Sequence, residues 1–410
     1  MLLKYGPRME EFAMRPPSKD KRINILEGSV RSGKTWGLHA KILQSCRYDV
    51  RGWKILSGVT KDTVFKNVLY DLFGLIGSSN YSYNHQSGLL RLCGSNWSVI
   101  GAKDEGSEKF IRGLTIGVAI ADELTLMPLQ FFQMMLTRMS PEGARFYGST
   151  NADSPMHWLK TDYLDNEELK RDGLLWSDHY TLDDNPNLSQ EYIEAQKRMY
   201  TGLFYQRYIL GLWVMAEGVI FRDAWNDLST FGDEDIPLGL FGAGGTKERV
   251  ITVDYGTTNP CVFLDWRDDG KTAWCVNEYR WDSKKEMRQK TDGQYADDME
   301  KFLGGDRRAQ IIIDPSAASL KAELSHRGFW VTDARNDVPL GIQQTSSALA
   351  KNVIRFHREK CKATIGEFQV YSWDQKKAMR GIEEPIKAND HGCDSARYFC
   401  LTKLPAWRLM

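Results

Sequence analysis

The sequence predicts an α/β chain of two domains, an N-terminal parallel sheet covered by helices on both faces and a C-terminal mixed sheet. Three observations carry this. Between Ile23 and Ser149, strand-length apolar runs alternate with helix-period stretches, as in a parallel sheet with crossover helices. Several glycines with Pro237 then break the composition across Phe231–Thr246. Beyond that break, three short β-type runs follow one another before helices return. A length of 410 residues lets each half bury its own core.

Taken in order, Ile23–Glu27 reads as a strand and Thr35–Cys46 as a helix. Trp53–Val59 is a second strand, followed by a helix over Lys61–Phe73. Leu89–Leu92 and Trp97–Ala102 form a hairpin, and the wholly apolar Ile116–Ala121 is a buried strand. Phe146–Ser149 adds another strand, and Gln190–Tyr208 is helical. The expected division is a first domain over residues 1–216, with 190–216 as its helical linker region, a connecting segment 217–246, and a second domain 247–410. The second domain opens with Arg249–Tyr255, Cys261–Trp266 and Thr272–Tyr279, with Asp268-Asp269-Gly270 as the turn between the last two. A helix over Lys284–Leu303, a strand over Gln310–Ile313 and a Ser/Ala-rich helix start follow. A meander followed by alternating helices and strands is the order of an RNase H-like sheet.

Bulk properties narrow the function. Lys plus Arg and Asp plus Glu balance at 54 each, so overall charge gives no support to a nucleic-acid partner, although a local basic path would suffice for one. None of the seven cysteines forms a C-x-x-C pair, which argues against a zinc knuckle and for reduced thiols. No apolar run reaches the ~18 residues of a membrane span, and Met1–Pro7 has no secretory apolar region.

Gly28-Ser29-Val30-Arg31-Ser32-Gly33-Lys34-Thr35 matches G-x-x-x-x-G-K-[ST], between a strand and a helix. The glycines let backbone N–H groups turn toward phosphate oxygens, and the helix N-terminus faces the anion. Lys34 supplies a charge to the β- and γ-phosphates, and the Thr35 hydroxyl suits Mg²⁺. The partner motif is Val118-Ala-Ile-Ala-Asp122-Glu123, where a buried strand delivers two acids: Asp122 for the Mg²⁺ shell and Glu123 to polarise the attacking water. These residues imply an ATP–Mg²⁺ site on a P-loop domain of the ASCE, RecA-like class. Arg31 lies inside the loop, where it either stabilises transition-state charge or faces solvent. Gly148-Ser149-Thr150-Asn151 ends a strand with residues able to sense a γ-phosphate, a pattern that an ordinary strand exit also shows. Arg112 reads equally as a phosphate or subunit contact and as a surface arginine.

In the second half, Asp254 sits inside an apolar strand and Asp314 ends another. A buried carboxylate needs a partner, and neither strand offers an adjacent arginine. Asp394, on a helix over His391–Leu404, can complete a triad suited to two hard cations such as Mg²⁺ or Mn²⁺, which would cut a phosphodiester. The alternative is one acid at a turn and another in a salt bridge. Asp390 competes for the third place, and Asp265 reads as a hairpin surface residue.

Together these residues resemble the large terminase subunits of tailed bacteriophages, in the order found in Gram-positive phages and prophages. The phosphate loop with its arginine, Ile111-Arg112-Gly113, Asp122-Glu123 and Gly148–Asn151 carry the N-terminal part. Glu367–Asp374, Glu384-Pro385-Ile386-Lys387 and Asn389-Asp390-His391-Gly-Cys-Asp394-Ser-Ala-Arg397-Tyr398 carry the more specific C-terminal part. The resemblance implies viral DNA packaging: ATP hydrolysis drives double-stranded DNA into a prohead, and a two-metal endonuclease cuts concatemers. It implies that Arg31 stabilises the transition state and that Gly148–Asn151 couple hydrolysis to DNA movement. Asp254, Asp314 and Asp394 would ligate the nuclease metals, with His391 nearby. The implied partners are a terminase small subunit and the portal, with a homo-oligomeric ring, a pentamer, at the capsid vertex in the host cytoplasm. One departure is the absence of any glutamine before Gln44, where the family often reads adenine; Tyr5 or Arg8 could substitute. Two other readings compete: a motor with a structural portal-docking C-terminal domain, and a host repair or transposition nuclease-ATPase. The acidic triad counts against the first. Lys284, Lys285, Arg288, Lys376, Lys377, Arg380 and Lys387 either meet DNA phosphates or form solvated helix faces.

Overall fold

The computed structural model describes residues 4–241, 249–256 and 259–409, so 242–246 of the expected connecting segment lie outside the described residues. The chain forms two compact units. One comprises Met1–Glu194, Tyr205–Met215 and Met379–Gly381; the other comprises Ala195–Phe204, Ala216–Ala378 and Ile382–Met410.

The first unit contains β1 (Ile23–Gly28), β2 (Trp53–Gly58), β3 (Tyr81–Tyr83), β4 (Leu89–Leu92), β5 (Ser95–Gly101), β6 (Ile116–Ala121), β7 (Arg145–Ser149) and β8 (Leu175–Tyr180). They form one eight-stranded sheet in the order β3-β4-β5-β2-β6-β7-β1-β8. The pairs from β5 to β8 are parallel, and β3 and β4 add an antiparallel edge. Apolar clusters cover both faces, one around Phe132 and Phe146 and the other around Leu38, Trp97 and Tyr147. β8 and the helix Leu129–Arg138 had escaped the sequence reading. The run Leu-Trp-Ser-Asp-His-Tyr of β8 is too polar to look buried, and only pairing with β1 makes it a strand. The expected helical run after residue 190 breaks: Gln190–Met199 ends before Gly202, whose φ is +51°.

A charged group lies inside this unit. Lys41, on the helix Lys34–Arg47, has its Nζ 2.8 Å from Asp20 Oδ2, and both side chains are fully buried. Tyr147 donates to the same oxygen at 2.7 Å, and Arg15 pairs with the other. Removing one partner of a buried pair leaves an uncompensated charge. Lys41→Ala is therefore expected to destabilise the protein by about 3 kcal/mol, with Arg15 keeping the effect at the low end of the range. Urea unfolding measures it, and a change below about 1 kcal/mol would show that the pair contributes little.

The second unit contains β9 (Thr230–Phe231), β10 (Arg249–Asp254), β11 (Cys261–Asp268), β12 (Ala273–Trp281), β13 (Gln310–Ile313), β14 (Trp330–Asp333) and β15 (Ile354–His357). Their order is β14-β13-β10-β11-β12-β15-β9. The meander β10-β11-β12 is antiparallel, and β13 joins β10 in parallel, which makes the mixed, RNase H-like sheet. The helix His391–Thr402 packs across β10 and β11, with Phe399 stacked on Trp266 at 4.2 Å and Ser395 Oγ 2.9 Å from Thr252 Oγ1.

Two expectations need correction. The helix expected from Lys284 starts at Asp292, because Thr291 caps it in a reciprocal bond pair with Gln294. Before it the chain turns: Asp282 accepts from the Lys284 and Lys285 N–H groups, and Met287 adopts φ +47°. Asp265 is no surface residue. It is 3% exposed, with Arg249 Nη2 at 2.6 Å and Arg267 Nε at 3.2 Å. Antiparallel register sets Arg249 opposite Arg267, and the period of two puts Asp265 on their face. Among the described residues no helix is long and apolar enough to cross a membrane.

Candidate functional sites

Parallel register aligns the strand ends of the first unit at one edge. Ala121 pairs with Gly148 and Leu26 with Ser149, so the turns after β1, β6 and β7 open side by side. This carboxyl edge is where open α/β sheets bind ligands. Gly28 makes the first turn possible: its φ is +132°, and a Cβ there would lie 2.0 Å from Tyr180 O. A cavity of about 500 Å³ results, lined by Val30–Trp36, Asp122, Glu123, Ser149, Thr150 and Asn151 among others. Lys34 Nζ reaches Ser29 O, Ser32 Oγ at 3.1 Å and Asn151 Oδ1 at 3.2 Å. Burial lowers its pKa to about 8, against the attraction of Asp122 and Glu27. Ser149 Oγ donates to Asp122, whose carboxyl burial pushes upward. Burial and the Asp122 charge also raise Glu123, which suits a proton acceptor. Arg31 and Glu123 both hold left-handed backbone, at φ +57° and +59°, and such strain concentrates at functional turns.

Thr150 donates to Thr125 Oγ1 at 3.0 Å and accepts from Thr125 N at 3.2 Å, while Asn151 touches Lys34. All the sequence-selected residues of this half thus meet at one mouth, except Gly28, Ser29 and Gly148, which form its backbone frame, and Arg112. Arg112 pairs with Glu108 on the surface. Arg8 is engaged by Asp178 and His179 O, whereas Tyr5 lies in a small cleft with Gly33, Trp36 and Asn187. Sequence reading missed Asn185, whose Nδ2 donates to Arg31 O at 2.8 Å, and the wall formed by Lys66, Asn67 and Asp71. Lone amides in loops gave no signal.

The second unit gathers acids beneath its helix. Tyr398 OH donates to Asp314 Oδ2 at 2.8 Å and lies 3.3 Å from Asp254 Oδ1. His391 Nδ1 is 2.8 Å from Asp254 Oδ2. Asp314 also accepts from Ser316 N at 2.7 Å and from Asn336 Nδ2. Against burial, the bonds from Ser316 and Tyr398 and the Arg397 charge hold its carboxyl low. Burial and the Asp394 charge push Asp254 up, while the Asp254 bond raises His391. Asp394 faces Arg397 Nη2 at 3.0 Å and Lys387 Nζ at 3.9 Å. The Tyr398 hydroxyl thus bridges Asp254 and Asp314, His391 joins at Asp254, and Asp394 acts on Asp254 through its charge. Asp390 is buried beside them, with His391 Nε2 at 3.9 Å and Lys387 Nζ at 4.0 Å. Among the described residues no three acidic, His or Cys groups form a ready-made metal cage. The donors are nonetheless hard oxygens, and the Asp394 and Asp390 charges, which add to burial in raising Asp254, favour a divalent cation there. Glu367 anchors the helix start, accepting from Gly392 N and from Arg280 Nη1 at 2.6 Å. Tyr398 and Arg397 were visible in the C-terminal motif without a role, and Asn336 gave no signal. Of the basic residues, Lys377 pairs with Glu384 at 2.6 Å and Lys285 approaches Asp282 at 3.8 Å, whereas Lys387 lies at the acids.

A triphosphate cradle on one sheet and converging carboxylates on another define a class: nucleotide-driven enzymes that also cut phosphodiesters. Residues 25–227 match the family model described as terminase large subunit, T4likevirus-type, N-terminal. The structure is similar to that of the large terminase from a thermophilic bacteriophage, at 33% identity and a TM-score of 0.84, over 98% of this chain and 99% of that one. The same phage protein solved with ADP matches at 33% identity and a TM-score of 0.83, over 97% and 99% of the chains, and with ATP-γ-S at 32% and 0.79, over 97% and 98%. No curated protein matches. The chain belongs to the large terminase subunits of bacteriophages. It is a DNA-packaging terminase subunit with an ATPase domain.

Proposed function

We propose that the cavity at the phosphate loop drives DNA movement and that the Asp254–Asp314–Asp394 site cuts the DNA. The observation carrying this reading is that both sites lie in one chain, each on the sheet its chemistry needs. Residues 1–216 form the motor, residues 247–410 the nuclease, and 217–246 the connection. The thermophilic-phage relative was solved with ADP and with ATP-γ-S, which supports ATP as the ligand of this cavity. The loop from Val30 to Gly33 would turn N–H groups toward the phosphates, Lys34 would balance the β/γ charge, and Thr35 and Asp122 would hold Mg²⁺. Glu123 takes the proton of the attacking water, and Arg31 meets the charge that develops on the γ-phosphate. Ser149 and Asn151 touch Asp122 and Lys34, so a change at the phosphates alters the backbone of β7, which makes Gly148–Asn151 the coupling element.

In the nuclease, Asp254, Asp314 and Asp394 would hold two divalent cations, which would supply activation of water and charge stabilisation at the leaving oxygen. Tyr398 and Asn336 orient the first two carboxylates, and His391 is placed to exchange a proton beside Asp254. The partners are double-stranded DNA, the small subunit and the portal, with a pentameric ring at the vertex in the host cytoplasm. The purified chain, added with ATP to empty proheads bearing portals, should protect DNA from nuclease, and its ATPase should rise with DNA. A chain whose ATPase ignores DNA and which fills no prohead would favour the host nuclease-ATPase reading.

A further inference from the structure

β8 ends beside the phosphate loop. Tyr180 pairs with Gly28 in parallel register, and Tyr180 O accepts from Ser29 N at 2.8 Å. The chain leaving β8 therefore runs along the flank of the loop that leaves β1. Leu182–Asp184 makes one tight turn, closed where Thr181 N donates to Asp184 Oδ2 at 2.7 Å. Asn185-Pro186-Asn187 follows. A residue before proline is pushed toward extended backbone, and Asn185 sits at φ −97°, ψ +99°.

The Asn185 side chain is 8% exposed and held at both ends. Its Oδ1 accepts from Asn187 N at 3.1 Å and from Asn187 Nδ2 at 3.3 Å. Asn187 is in turn fixed on the N-terminal segment, donating to Lys4 O at 2.7 Å and accepting from Lys4 N at 3.1 Å. Two N–H donors at the oxygen settle which end of the Asn185 amide is which, so its Nδ2 donates to Arg31 O, at 2.8 Å. The same side chain flanks Gly33, where a Cβ would lie 3.7 Å from Asn185 Cγ. Arg31 needs such a hold. Its φ of +57° is left-handed, a conformation that a residue with a Cβ keeps only where its surroundings impose it. Its side chain is exposed, and among the described residues no hydrogen bond or ion pair holds the guanidinium. The backbone alone then sets its direction, and Asn185 fixes the peptide group that follows Arg31.

We propose that Asn185 is a positioning residue of the motor: by holding the Arg31 carbonyl it keeps the left-handed backbone from which the guanidinium reaches the γ-phosphate in the transition state. This rests on the reading of Arg31 as the group that meets the γ-phosphate's charge, and deepens it. The test is steady-state phosphate release by the full chain, with ADP binding by calorimetry, for wild type, Asn185→Ala, Asn185→Leu, Arg31→Ala and the Asn185→Ala/Arg31→Ala double variant. Asn185→Leu fills the space beside Gly33 without a donor. The loss of one hydrogen bond that leaves a carbonyl unsatisfied sets the scale, so both Asn185 variants should lose about tenfold in kcat. KM and ADP affinity should stay within about threefold of wild type, because ADP has no γ-phosphate for Arg31 to meet. In the Arg31→Ala background, Asn185→Ala should lower kcat by less than about twofold more, since residues acting as one unit do not add. An unchanged kcat in both Asn185 variants overturns the role. So does a second tenfold loss in the double variant, or a loss of ADP affinity as large as the loss in kcat, which marks a prop for the whole loop. Wild-type turnover in Arg31→Ala removes the reading of Arg31 itself, and a wild-type chain without ATPase removes the motor.

Discussion

Lys34→Ala is expected to lower ATP turnover at least about a hundredfold, the scale of removing a preorganised charge from a transition state. The ammonium sits in a water-poor mouth, held by Ser29 O, Ser32 Oγ and Asn151 Oδ1. These acceptors occupy it while no phosphate is present and leave its charge partly unbalanced, which is why burial lowers its pKa to about 8. The sign for stability follows. A lysine with a depressed folded pKa opposes folding while it is charged, below about pH 8, and this penalty fades as pH rises from there toward the unfolded value. Removing the charge at pH 7 should therefore leave the nucleotide-free melting temperature unchanged or higher while turnover collapses. Lys34→Arg should not rescue, because a planar guanidinium cannot replace a compact ammonium in this loop. Phosphate release and thermal melts of the same samples provide the check. Near-normal turnover in Lys34→Ala would sink the motor site.

Asp254→Ala is expected to abolish Mn²⁺-dependent plasmid cleavage, by at least about a hundredfold, with ATPase unchanged. Asp254 is the acid on which the second site centres: His391 lies 2.8 Å from one oxygen and Tyr398 3.3 Å from the other. Asp254→Asn separates charge from shape, since an amide fills the same space and meets the same neighbours without the negative charge that a cation requires. It should be as inactive as the alanine variant. Cleavage by Asp254→Asn at more than about a tenth of the wild-type rate would mean that no cation depends on this carboxylate. Unchanged cutting in Asp254→Ala would favour a C-terminal unit that only docks.

Much of this was legible locally. A glycine at φ +132° is needed wherever β1 must turn away from Tyr180, so the phosphate loop announces itself in residue type and spacing. Ile116–Ala121 and, after Gln310, Ile311–Ile313 are apolar throughout because both faces are covered, and the strands observed match those runs. Where two rules competed, the local one failed. Lys284–Leu303 has helical composition, but Asp282 draws the first N–H groups into a turn and Thr291 caps the helix later. The polar run of β8 becomes a strand only because β1 supplies its hydrogen bonds.

By itself the sequence determined the two chemistries and the strands that carry them, since periodicity, glycine requirements and motif spacing act over a few residues. Only the tertiary structure decided which groups meet. Tyr398 reaches Asp314 across 84 residues, Asn185 holds Arg31 O across 154, and Asp265 is buried between two arginines rather than exposed at a turn. Such pairings depend on strand order and register, which no local stretch of sequence encodes. For the same reason Asn67 is invisible as one more polar residue in a helical run until a π turn over Phe65–Leu69 swings it into the nucleotide cavity.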